Sequence, residues 1–86
     1  MARRTDGLFW MPSRVPRVTG ESAIKAFAKA GFLLHHICGS HHILRHPEKP
    51  VRLTIPVHKG KTIRIGLLSS QIKAAGLTVE QFNDLL

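Results

Sequence analysis

Cysteine is all but absent from this chain. Of its 86 residues only Cys38 is one, so no disulfide can close within it and a disulfide scaffold is excluded. Acidic residues are scarce too: five Asp plus Glu stand against thirteen Lys plus Arg, a formal charge of +8 before six histidines are counted. No run approaches the ~18–20 consecutive apolar residues of a membrane span. The apolar patch Leu8 to Met11 behind two arginines is too short for the core of a signal peptide. Neither C-x-x-C nor H-E-x-x-H occurs, so a closed zinc site would have to be all-histidine or draw on distant carboxylates. These absences lead us to expect a cytoplasmic protein with no membrane segment, no metal and no cofactor.

What is present is the composition of a folded domain, 43 % hydrophobic and 21 % charged, rather than that of a disordered chain. Domains run to roughly 100–200 residues, so the length allows one domain without room for an elaborate substrate cavity, and function is expected on a surface. Residues 1–12 carry neither a helical nor a strand period and read as an N-terminal arm. The domain is expected over 13–86.

Thr19 is a suitable N-cap for a helix over about 20–30, in which Ile24, Phe27 and Ala28 recur at helical spacing and Gly31 supplies the stop. The segments FLLHHI, HHILR and VRLTIPV then read as three short strands in a meander. Gly39-Ser40 suits a two-residue primed hairpin turn, and Pro47-Glu48-Lys49-Pro50 reads as a longer second connection. Leu68, Ile72 and Ala75 mark a second helix over about 66–75 that ends at Gly76. Thr78 and Gln81 form a capping box for a short last helix bearing Val79, Phe82 and Leu86 on one face. The expected class is α+β: α-β-β-β-α, a three-stranded antiparallel sheet with helices on one face and a short extra C-terminal helix.

Charge is unevenly distributed. Arg45, Lys49, Arg52, Lys59, Lys61 and Arg64 face only Glu48, a balance of +5 over twenty positions. Such a surface attracts polyanions, nucleic acid first among them, although a solvated basic face or an acidic protein partner fits the charge equally well. The histidines cluster at His35, His36, His41, His42 and His46, with His58 beyond. Pairing across Gly39-Ser40 would set Cys38 opposite His41, Ile37 opposite His42, His36 opposite Ile43, His35 opposite Leu44 and Leu34 opposite Arg45. One face would carry Leu34, His36, Cys38, His41, Ile43 and Arg45. The other would carry Leu33, His35, Ile37, His42, Leu44 and His46. Each holds three apolar members; Arg45 is the residue least suited to burial, which points His41 towards solvent. A histidine there could move a proton at an RNA phosphodiester, whose 2′-OH is a built-in nucleophile, with Lys or Arg steadying the charge. Spacing alone leaves half-buried strand histidines or base-stacking groups as the alternative.

The run GSHHILRHP, followed by TIPVHKGKTI and SSQIKAAGLTVEQFNDLL and preceded by PRVTGESAIKAFAKAGF, resembles the HicA-type (YcfA-like) mRNA interferase toxins over about 16–86. The most specific pieces are G-S-H with a histidine five positions on, P-V-H-x-G-K, and I-x-x-A-G-L, in that order. The resemblance implies a small double-stranded-RNA-binding-domain-like fold. It also implies a toxin of a type II toxin–antitoxin system: an endoribonuclease of the stress response that cleaves mRNA, blocks translation and is neutralised by a HicB-type antitoxin. Its catalytic histidine corresponds to His41, with Gly39 and Ser40 setting the turn. His46 and His58 match motif positions and are candidates for a second acid or base. Arg45, Lys59, Lys61 and Arg64 are phosphate-binding candidates from the charge count. The chain departs from the family pattern at Cys38, where a basic residue is common, and at Ile65-Gly66-Leu67-Leu68, where P-x-G-T-L is usual. The alternative is an RNA-binding module of the same fold without chemistry.

Overall fold

The computed structural model describes residues 15–86, and the arm expected over 1–12 lies outside them. The chain runs α1 (Gly20–Lys29), β1 (Leu33–Cys38), β2 (His41–His46), β3 (Lys49–Pro56), α2 (Ile65–Ala74) and α3 (Val79–Leu85), as the pattern of apolar residues and caps predicts. The strands form one antiparallel sheet in the order β1-β2-β3. The class is α+β, and the order α-β-β-β-α with a C-terminal helix is the expected one.

Local chemistry sets the element ends. The Thr19 hydroxyl accepts the Ser22 N–H at 3.2 Å to cap α1. Thr78 and Gln81 close their capping box through bonds of 3.0 and 2.9 Å. Gly39 takes φ +62°, the positive value a primed two-residue turn requires. The second connection is shorter than expected. Pro47 and Glu48 alone form the turn, and Lys49 and Pro50 already belong to β3. Proline is tolerated there because β3 is a sheet edge. The Glu48 N–H donates to Nδ1 of His46 at 3.0 Å and closes the turn.

The β1–β2 register holds as expected from Cys38↔His41 to His36↔Ile43 and then slips. A bulge between Leu34 and His36 pairs Leu34 with Leu44 and Leu33 with Arg45. An extra residue in one strand reverses the faces beyond it, so Leu33 joins the Arg45 face and Leu34 the Leu44 face, opposite to the expected sides. The helices cover the face bearing Leu44, Leu53 and Ile55, all 1 % exposed or less. Ala23, Ala26, Phe27, Phe32, Ile63, Leu68, Ile72, Ala75 and Phe82 complete the core. Phe27 is its hub, edge-on to Phe32 at 6.0 Å and tilted against Phe82 at 5.0 Å. On the far face alternate His41, Ile43 and Arg45 of β2 with Arg52 and Thr54 of β3. Gln71 of α2 accepts the Thr54 N–H at 3.0 Å, so the outer edge of β3 is held by a helix.

Candidate nucleic-acid interface

The segment from Val57 to Arg64 carries four cationic or titratable side chains and is fixed by its backbone. The Val57 N–H donates to the Ser40 carbonyl at 2.8 Å, which carries the β2–β3 pairing one residue past the strand and up to the hairpin turn. The Lys61 N–H donates to the His58 carbonyl at 2.9 Å, and Gly60 adopts φ +76° to complete that turn. The Ile63 N–H donates to the Val18 carbonyl at 2.8 Å beside a bridge between Thr19 and Thr62. Ile63 itself is buried in the core. A Cβ on Gly20 would run into the Pro56 carbonyl and the Val57 side chain, so the start of α1 sits directly on this segment.

The tethered segment walls a shallow cleft of about 360 Å³ lined by Pro56, His58, Lys61, Thr62, Ile63, Arg64 and Leu67. His41 is exposed on the outward face and is the register partner of Pro56; partners in a ladder share a face. His41 therefore stands beside Pro56, which lines the cleft together with His58, Lys61 and Arg64. Lys59 is exposed at the tip of the adjoining turn. Arg64 precedes α2, whose first turn has no side-chain cap. Free first-turn amides carry the positive end of the helix dipole, adding to the cationic character of the cleft.

The histidines divide into two groups. His35, His36, His41 and His58 are exposed, whereas His42 and His46 are half-buried. His42 lies on the helix-covered face with its Nδ1 buried and without a hydrogen-bond partner among the described residues. The His46 ring is edge-on to Phe32 at 5.1 Å, in addition to accepting the Glu48 N–H. It sits at the far end of β2 from His41, so of the two second-histidine candidates only His58 is brought to the His41 end.

The basic footprint divides as well. Lys49 donates to the Ala75 carbonyl at 3.1 Å, at the end of α2 where a cation is favoured. It is occupied structurally and stands apart from the cleft. Arg45 lies on the outward face at the opposite end of β2, and its register partner is Arg52, which the charge count included but no candidate role used. A register shift between Arg45 and His46 sets Arg52 opposite Arg45, as a four-residue Pro47-to-Pro50 connection would also have done. Among the described residues, no group of three or more His, Cys, Asp or Glu could hold a metal ion, and no helix is long and apolar enough to cross a membrane.

No curated protein matches the chain. Residues 20–77 match the family model described as the HicA toxin of bacterial toxin–antitoxin. The match begins with the first residue of α1, takes in the hairpin, the tethered cleft and α2, and leaves only α3 outside it at the C-terminal end. By this match over most of its length the chain belongs to the HicA family, the toxins of bacterial toxin–antitoxin systems.

Proposed function

We propose that this toxin is a metal-independent endoribonuclease that cleaves mRNA and blocks translation, with His41 moving the proton at the scissile phosphate. One observation carries the reading. An exposed histidine at a two-residue turn is the strand partner of Pro56, which lines a cleft with His58, Lys61 and Arg64. In RNA the 2′-oxygen attacks the neighbouring phosphorus as its proton leaves, the bond from phosphorus to the 5′-oxygen breaks, and that oxygen takes up a proton. The products are a 2′,3′-cyclic phosphate and a free 5′-hydroxyl. His41 serves one of these transfers as general base or acid. His58 is the candidate for the other, being at the same end of the sheet. Lys61 and Arg64, with the uncapped start of α2, stabilise the extra charge on the phosphorane. Lys59 and Arg45 hold flanking phosphates. The partner that silences the toxin is a HicB-type antitoxin in the cytoplasm, presenting carboxylates to the same cationic residues.

The test is cleavage of a labelled unstructured RNA in EDTA by the wild type and by His41→Ala at equal folded content. Cleavage by the wild type alone, leaving cyclic phosphate ends, is the expected result, with His41→Ala slower by about 10²-fold or more. RNA bound but uncleaved by both proteins would leave the non-catalytic RNA-binding module instead.

A further inference from the structure

Among the described residues, β1 is the strand that no other element covers on its outer edge. All six of its residues are exposed, including Leu33, Leu34 and Ile37 at 63, 50 and 53 %. It is an edge of the sheet, bonded to β2 on one side only, and an edge strand offers a row of free peptide N–H and C=O groups. From Ala30 to Leu44 the sequence has no Lys, Arg, Asp or Glu, in a chain of net charge +8. A mostly apolar ladder without Lys or Arg offers less to a polyanion than the cleft does but suits another peptide strand, which would pair along the edge and set alternate side chains into its hollows.

The surroundings select the occupant. A cleft of about 430 Å³ opens beside β1, lined by Leu33, Leu34, His35, Arg45, His46 and Pro47. Arg45 and Arg52 face each other on adjacent strands, a like-charge pairing that destabilises a sheet unless an anion relieves it. No strand of this sheet carries a carboxylate. A second copy of the chain would add +8 more and bring no strand carboxylate to that pair. We infer that β1 is the docking edge for an extended strand of the antitoxin, apolar where it faces Leu34 and Ile37 and acidic where it reaches Arg45, which lines the cleft beside β1. The inference rests on the toxin–antitoxin assignment and does not need the ribonuclease mechanism. The bulge at His35 interrupts the edge and admits only a strand that matches the interruption, which protects the free chain from indiscriminate pairing.

The test pairs the double variant Leu34→Lys/Ile37→Lys with purified cognate antitoxin. Both positions are exposed, so the variant folds, as circular dichroism will verify, and neither belongs to the proposed catalytic cleft. Antitoxin affinity is expected to fall by about 30-fold or more, the size of a central interface residue, while RNA cleavage stays at the wild-type rate. In the wild-type complex, the amides of residues 33–38 exchange more slowly than in the free chain. Unchanged antitoxin affinity in the variant overturns the inference, as do β1 amides that exchange equally fast in the complex. A toxin dimer that the variant dissolves while antitoxin binding persists overturns it in favour of a second copy. If antitoxin binding depends on β1 but the wild type cleaves no RNA, the docking edge stands and the ribonuclease reading falls.

Discussion

Substituting Gly31 by alanine tests whether His46 is a structural residue. Gly31 has φ +101°, a region where a non-glycine residue costs about 1–3 kcal/mol. Loss of backbone freedom in the unfolded chain returns about 0.4–1 kcal/mol of that. The added Cβ would also lie 2.6 Å from Nε2 of His46, too close for both to stay. Displacing the ring loses its edge contact with Phe32, about 0.5–1.5 kcal/mol, and its bond from the Glu48 N–H, about 0.5–1.5 kcal/mol. Gly31→Ala in the wild type should therefore destabilise by about 2–4 kcal/mol in all. In a His46→Ala background only the backbone part remains, about 1–2 kcal/mol, leaving a coupling of roughly 1–2 kcal/mol between the two sites. Urea or thermal unfolding of the four proteins measures it, since each kcal/mol moves the midpoint of a domain this size by roughly 4–8 °C. If Gly31→Ala costs the same in both backgrounds, the ring swings freely and the structural role of His46 is refuted.

The other predictions separate fold from function in the same way. His42→Leu should leave stability unchanged or raise it by about 1 kcal/mol, because an apolar group replaces a buried unpartnered nitrogen; chemical denaturation measures this, and the variant should remain toxic. Phe82→Ala should cost about 3–5 kcal/mol, which calorimetry will read, because α3 completes the core from outside the family match. Lys61→Ala and Arg64→Ala should each lower the slope of log affinity for single-stranded RNA against log salt by about 0.7, as filter binding at four salt concentrations will show. Ile63→Ala removes no charge, yet it should cost about 2–5 kcal/mol and weaken RNA binding by loosening the segment that presents His58, Lys61 and Arg64.

The elements whose signals are local were legible before the structure. Thr19 and Gly31 bracket α1, Thr78 and Gln81 open α3, and Gly39 makes the hairpin turn, because caps and primed turns depend on a few neighbouring residues. The β1 bulge carried no such signal: LLHHI alternates no better in one register than in the other, and its pairing is decided by β2. Pro50 marked the end of a loop for the same local reason, since the edge position that accommodates it is a property of the sheet. At the candidate site, the G-S-H motif singled out His41, which the structure leaves exposed. The two faces of the hairpin, with three apolar members each, were separated only when the helices settled over Leu44, Leu53 and Ile55. The bond from Lys49 to the Ala75 carbonyl joins residues 26 positions apart, and no pattern along the chain distinguishes that lysine from its cationic neighbours.

The division of labour between backbone and side chains explains how so small a domain can carry an exposed cationic surface. Every tether that shapes the cleft is a peptide bond partner or a buried aliphatic group: Val57 to Ser40, Lys61 to His58, Ile63 to Val18, and Ile63 itself in the core. His41, His58, Lys59, Lys61 and Arg64 are all exposed, and the side chains that hold the fold together are other residues. Charge repulsion within the cleft is therefore resisted by the main-chain ladder and the core beneath it, with Lys49 drawn off to the end of α2 and Arg45 and Arg52 set at the opposite end of the sheet. Concentrated positive charge in one place strengthens binding of a phosphate but also works against folding. By splitting the charge between a tethered cleft and a distant arginine pair, the fold limits that cost and leaves two separate cationic sites for an anionic partner to satisfy. An antitoxin that bridges both would gain from each, whereas a short RNA can occupy the cleft alone.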